Sequence, residues 1–292
     1  MVERMRYNPM NSIKLDRRRK YYIVLDCETA TLPHSMNYDG EARKRIAIAK
    51  PLVYDLAWSI IDCQGRTYVS RSFLISEIFS VPSIFNTAYY ASKRPKYLEK
   101  LRNKEITLVS WNEAVETLTA DMENVSAIGA YNSMFDFIKA ITFTEEYISN
   151  LYSENYYKWE KEQNRKIDYI VENTQRFSKG KNCKFFTLRD KQLPLFDIWG
   201  LSCKHLLNND DFRSFCSDNE AYTASRKYYS TTAENAYRFV FQDKTFEESH
   251  TALEDVSIES ALLAEVFKKV KPQNAEMGII FFPFRIVGRA DL

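Results

Sequence analysis

Apolar residues in this chain come in short runs, and their period changes along the sequence. Tyr21 to Cys27 reads YYIVLDC, an aromatic and β-branched run that predicts a buried strand. Two further apolar runs, 52–62 and 67–75, flank Asp62-Cys63-Gln64-Gly65-Arg66, which predicts a hairpin. A three-strand meander is therefore expected near the start. Beyond it the spacing becomes helical. Ala114, Val115, Leu118 and Met122 share a face between Asn112 and Asn124, with Asn112 as the expected N-cap. SAIGAY at 126–131 is a short buried strand, and a helix through Phe135, Ile138 and Ile141 begins at Asn132. LPLFDIWGLSCKHLL at 193–207 predicts a strand and then a helix. Helices are expected over 232–241 and 251–270, the latter with Val256, Leu262 and Val266 on one face. The tail from Met277 to Leu292 is apolar and then basic, and reads as a last strand or an arm.

A meander followed by alternating helices and strands predicts an α/β fold, a mixed central β-sheet flanked by helices. Residues 147–191 are polar, charged and aromatic without clear period, and read as a partly helical insertion.

Composition narrows the picture. With 292 residues, 45% apolar and 27% charged, a substantial core is expected, and 7 Gly with 8 Pro argue against long flexible linkers. A net charge of +2 does not suit a protein that coats duplex nucleic acid, but it permits one that grips a few terminal nucleotides. Basic residues collect in Arg17-Arg18-Arg19-Lys20 and between Lys179 and Lys191, read as solvated surface. The 19 Tyr and 19 Phe read mostly as core, with a few available to stack on nucleobases. Five cysteines without a CxxC pair argue against a disulfide framework or a zinc site and suit a reducing compartment. No apolar targeting segment opens the chain, and no apolar run approaches the ~20 residues that span a bilayer. The expectation is a cytoplasmic protein with no membrane association.

The acids carry the chemistry. Strand alternation projects Asp26 and Glu28 together at the end of the first strand and turns Cys27 into the core. Two carboxylates on one face repel unless a cation lies between them, and hard divalent ions take such ligands. Asp136 lies four residues after Asn132, on the same helical face. It reads either as a ligand or as the partner of a helix N-terminus capped by Ser133. Thr251 to Glu254 fits a capping box, which places His250 on a loop just outside a helix and Asp255 in its first turn. His250 is one of three histidines, with His34 and His205. Asp197 reads as a helix cap, the Cys203–His205 pair as packing, and Tyr131 and Phe135 as core.

Three motifs, IVLDCET, AYNSMFD and SHTALED, stand in the order DxE, Nx3D and HxAxxD. Together they resemble the DEDDh (DnaQ-like) 3′–5′ exonucleases, which include the proofreading epsilon subunit of bacterial DNA polymerase III, ribonuclease T and oligoribonuclease. The resemblance covers Tyr21 to Val270, interrupted by insertions at about 79–110 and 147–191. It implies a basic N-terminal arm over 1–20, an exonuclease domain over 21–270 with an RNase H-like fold and helical insertions, and a tail over 271–292. It also implies that Asp26, Glu28, Asp136 and Asp255 bind two divalent ions, Mg²⁺ or Mn²⁺, about 3.5–4 Å apart. His250 is then the general base. Thr29 and Asn132 are placed as substrate contacts, with a plain turn residue as the alternative for Thr29. The implied activity is removal of nucleoside 5′-monophosphates from single-stranded ends, DNA ahead of RNA. The alternatives are an exoribonuclease or oligoribonuclease, and a non-catalytic nucleic-acid-binding module of the same fold. TTAENAYRF and FEESHTALEDVSIE extend the likeness to stand-alone phage-type members. Implied partners are a nucleic-acid 3′ end, a second copy of the chain and a replicative polymerase.

Overall fold

Strand β1, Tyr21–Thr31, is the axis of the molecule, and its residues divide between two cores. The computed structural model describes residues 15–16, 18–38, 50–173 and 183–290; most of the expected basic arm and the start of the 179–191 stretch lie outside them. Ile23, Leu25 and Cys27 face one apolar cluster, and Tyr22 and Val24 face the other. The strand is therefore buried on both sides, as its unbroken apolar run requires.

The sheet has seven strands in the order β4-β3-β2-β1-β5-β7-β6. The expected meander is present: β2, Pro51–Asp62, pairs antiparallel with β1, and β3, Thr67–Ile75, pairs antiparallel with β2. Gly65 takes φ +78° in the hairpin turn, where an added Cβ would lie 2.8 Å from that of Ala264. Strands β5, Ala127–Ala130, and β7, Lys191–Asp197, continue the sheet parallel to β1. The short edge strands are β4, Thr107–Val109, and β6, Phe185–Leu188; both fall within the expected insertions and were not foreseen as strands.

Helices cover both faces. On one side lie α1, Arg94–Arg102, α2, Trp111–Met122, α3, Thr142–Leu151, and α4, Tyr156–Asn173. On the other lie α5, Ile198–Ser202, α6, Asp210–Asp218, α7, Ala233–Phe241, and α8, Ala252–Lys269, which packs across β1 and β2. Val115 and Leu118 of α2 are fully buried as their spacing predicts, each contributing about 1.5–3 kcal/mol. The cap of α2 is Ser110, not Asn112. Ser110 and Glu113 form a reciprocal capping box, and Asn112 instead accepts from Arg189 at 2.6 Å.

Two further expectations are corrected. Met134–Ile141 is a π-helix and not a regular α-helix; Asn132 precedes it and is exposed, while Asp136 within it is buried. The tail forms no strand among the described residues. It makes isolated bridges at Gly278 and Arg289 and a single helical turn, Phe284–Val287. Its backbone instead serves Asp197, whose carboxylate accepts from Ile280 N–H at 2.8 Å while also capping α5.

In the described part of the second basic stretch, Arg189 pairs with Glu145, and Lys191 with Glu123 and Asp190. Among the described residues no helix is long and apolar enough to cross a membrane.

Candidate active site

A cavity of about 730 Å³ opens where β1, the π-helix and the start of α8 meet. Asp26, Glu28, Asp136, Asp255 and His250 all line it, so three separated stretches of sequence deliver the expected residues to one place.

Each arrives by a local rule. Asp26 and Glu28 reach the cavity from the end of β1, just before a register shift between Glu28 and Thr29. Cys27 is buried as alternation predicts, but it is not inert packing: its thiol donates to Asp136 Oδ1 at 3.2 Å. Asp136 is held by a tight turn out of β5. There Ser133 Oγ donates to the carbonyls of Ala130 and Phe196, at 3.1 and 2.5 Å, and accepts from Ala130 N–H at 3.2 Å. Ser133 thus locks the turn and does not cap a helix. Asp255 sits in the first turn of α8.

The cap of α8 differs from the expected box. Thr251 makes no side-chain bond to the helix backbone; its hydroxyl donates to the Glu254 carboxylate at 2.8 Å. The buried N–H of Ala252, which has no partner within the helix, is taken by the Asp55 carboxylate, at 3.0 Å, from β2. Glu254 is drawn away from the box by Lys96 and Lys100, at 3.1 and 2.9 Å.

Two acids join the site that sequence reasoning missed. Glu259 follows Asp255 by four residues, one helical turn, so α8 presents both to the cavity. The spacing in ALEDVSIE was the available signal. Glu259 also accepts from Tyr131 N–H at 3.1 Å. Glu248 lies two residues before His250, with Oε2 3.7 Å from the imidazole Nδ1.

Crowding dominates the electrostatics. Asp136, Asp255 and Glu259 are only 3%, 5% and 4% exposed. Burial lifts Asp26 well above the ordinary carboxylate range, and Glu259, Asp136 and Asp255 lift it further. Glu28 is raised by burial and then by Asp255 and Asp55. Burial brings Asp136 to about 7 against the opposing Cys27 hydrogen bond, and Asp255 to about 8 with help from Glu248. Lys93 pulls Glu28 and Asp255 down without cancelling these shifts. Such a group of acids holds protons or takes up cations; it does not ionise fully alone.

Ligand atoms of Glu28, His250 and Asp255 lie within 4.8 Å of one another, as do those of Glu234, Glu248 and His250. Asp26 and Asp136 line the same cavity but fall outside those two tight groups. Asp255 Oδ1 is buried without a hydrogen-bond partner. A donor set of carboxylate oxygens with one imidazole nitrogen, and with an unsatisfied buried carboxylate oxygen, fits a divalent ion.

Aromatic rings form the facing wall. Tyr131 and Trp199 stack with centroids 6.3 Å apart and planes at 19°, both tied to Thr231, and Phe284 lies 6.2 Å from Trp199. Tyr131 is core on one edge and cavity lining on the other, and Phe135 also lines the cavity. Asn132 is at the rim, but Thr29 lies beyond the register shift and does not line the cavity. His34 is remote from these groups and pairs with Asp168 at 2.7 Å. Cys203 is packed in the second core.

No family model matches the chain, and no curated protein matches it.

Proposed function

We propose that this chain is a divalent-metal-dependent 3′–5′ exonuclease of the DEDDh type, with an RNase H-like fold, acting on single-stranded DNA ends. The observation that carries the reading is the convergence of Asp26, Glu28, Asp136 and Asp255 on one cavity with His250 at its edge. The mixed sheet, with its meander first and parallel strands after it, is compatible with that fold.

In this reading Asp26, Glu28, Asp136 and Asp255 hold two Mg²⁺ or Mn²⁺ ions. When bound, such ions lower the pKa of a water molecule and offset the charge that develops on a departing 3′ oxygen. The protein's own groups do the rest. His250, lowered from its ordinary pKa by burial and by Lys93, is neutral at physiological pH and accepts the proton of the attacking water. The wall of Tyr131, Trp199 and Phe284 offers faces on which bases at the 3′ end stack, which is sequence-tolerant. The leaving 3′ hydroxyl stays with the shortened strand, and the product is a nucleoside 5′-monophosphate.

The test is product analysis on 5′-labelled single-stranded DNA and RNA, with Mg²⁺ or Mn²⁺ and with chelator. A ladder shortening from the 3′ end, faster on DNA and absent with chelator, is expected. Asp26→Ala should abolish it; undiminished cleavage by that variant would sink the mechanism. Equal or faster RNA digestion would move the substrate to RNA.

A further inference from the structure

His250 stands in a backbone conformation that side-chain-bearing residues adopt reluctantly, with φ +50°. It closes a stretch without regular structure between α7 and α8. Something outside that stretch must hold it there.

The contacts come from one insertion. The Tyr90 ring lies flat on the His250 imidazole, with centroids 4.5 Å apart and planes at 14°. Lys93 Nζ donates to Ser249 O at 2.6 Å and also sits 4.3 Å from the Tyr90 ring centroid. Lys96 and Lys100 grip Glu254, which itself accepts from Ser249 and Thr251. These four residues come from the Ala91–Lys93 turn, the residue before it and α1.

The other side of the insertion is fixed to the sheet. Thr87 Oγ1 accepts from Thr31 N–H at 2.8 Å and donates to Thr31 O at 2.9 Å, at the end of β1. The Arg94 guanidinium lies 5.6 Å from the ring centroids of both Phe79 and Phe85. Tyr97 is fully buried, edge-on to Tyr54 and Phe79. The strand that carries Asp26 and Glu28 and the loop that carries His250 are thus tied to one rigid piece.

We propose that the segment from Pro82 to Arg102 is a clamp that positions His250, with Tyr90 and Lys93 as its positioning residues. This rests on His250 being the base. Stacking covers one face of the imidazole and leaves its nitrogens, on the ring edge, directed at the cavity. Lys93 fixes the backbone immediately before it. Without the clamp the loop relaxes from its left-handed turn, and the imidazole leaves the carboxylates.

The test uses full-length Tyr90→Ala, Tyr90→Phe and Lys93→Met proteins with two readouts. In nuclease assays, Tyr90→Ala and Lys93→Met should each lower kcat about tenfold or more with KM within about twofold, while Tyr90→Phe stays near wild type. In proton–carbon NMR, the His250 ring signals, identified against His250→Gln among three histidines, should be ring-current shifted in wild type and Tyr90→Phe. In Tyr90→Ala they should move to ordinary positions. A Tyr90→Ala enzyme with kcat within about twofold of wild type overturns the positioning role, whatever its resonances show. If the wild-type protein shows no nuclease activity, the base role falls, and unshifted His250 signals in the wild type then overturn the clamp as well.

Discussion

Asp55, in the middle of β2, accepts a hydrogen bond from the backbone N–H of Ala252 at 3.0 Å, across 197 residues of sequence. One carboxylate therefore sets the start of the helix that carries Asp255 and Glu259. Burial lifts Asp55 to about 6 against the opposing bond from Ala252 N–H. Asp55→Ala should lose about 1–2 kcal/mol of stability, as an N-cap deletion does. Asp55→Asn keeps an acceptor and drops the buried charge, so at pH 7.5 it should lose less than half as much. Urea midpoints decide this, and equal loss in both variants would contradict the capping role.

The acid cluster predicts an inverted pH response. Asp136 and Asp255 have folded-state values of about 7 and about 8, against about 3.9 when unfolded. A raised carboxylate contributes stability that is present below the unfolded pKa and lost as pH climbs through the folded one. Metal-free protein should therefore lose thermal stability from about pH 4 to pH 8. Mn²⁺ or Mg²⁺ should restore it most at the upper end. Melting curves in chelator and in metal check both halves; a melting point in chelator that is flat or rises with pH, with no metal effect, would count against the cluster.

Glu259 separates a ligand from a scaffold. It accepts from Tyr131 N–H, which a glutamine oxygen also does. Glu259→Gln should keep Mg²⁺-dependent activity within about fivefold and stabilise the metal-free protein at pH 8, because a buried charge is gone. Glu259→Ala should destabilise it by about 1–3 kcal/mol by orphaning a buried N–H. A glutamine variant as inactive as Asp26→Ala would make Glu259 a metal ligand instead.

If His250 is the base, as proposed, it should be visible in the rate profile. Burial and Lys93 lower the His250 pKa, so the acid limb of kcat/KM should lie below about pH 6.5, rising as the imidazole loses its proton. His250→Gln should lower kcat by about 10²–10⁴ and erase that limb. A wild-type limb that survives in the variant assigns the titration to another group.

Much of the sheet was legible. YYIVLDC announced a buried strand, and the turn at Asp62–Arg66 announced the hairpin, because strand burial and turn chemistry are local properties. The two edge strands within the insertions were not, since Thr107–Val109 is three residues long and pairs only once β3 is in place. The π-helix after β5 was also hidden. Its apolar spacing through Phe135, Ile138 and Ile141 suits an α-helix equally well, and only the packed environment selects the wider turn.

The sequence by itself determined which side chains were candidates for the site: two acids by alternation on β1, and His250 and Asp255 by their place before and within a helix. The tertiary structure decided the company they keep. Capping of α8 passed from Thr251 to Asp55, Cys27 became the partner of Asp136, Glu259 entered the cavity, and Tyr90 came to rest on His250. Each of these joins residues dozens to hundreds of positions apart. No local period encodes such contacts, because they exist only when two separately folded elements exclude water from the space between them.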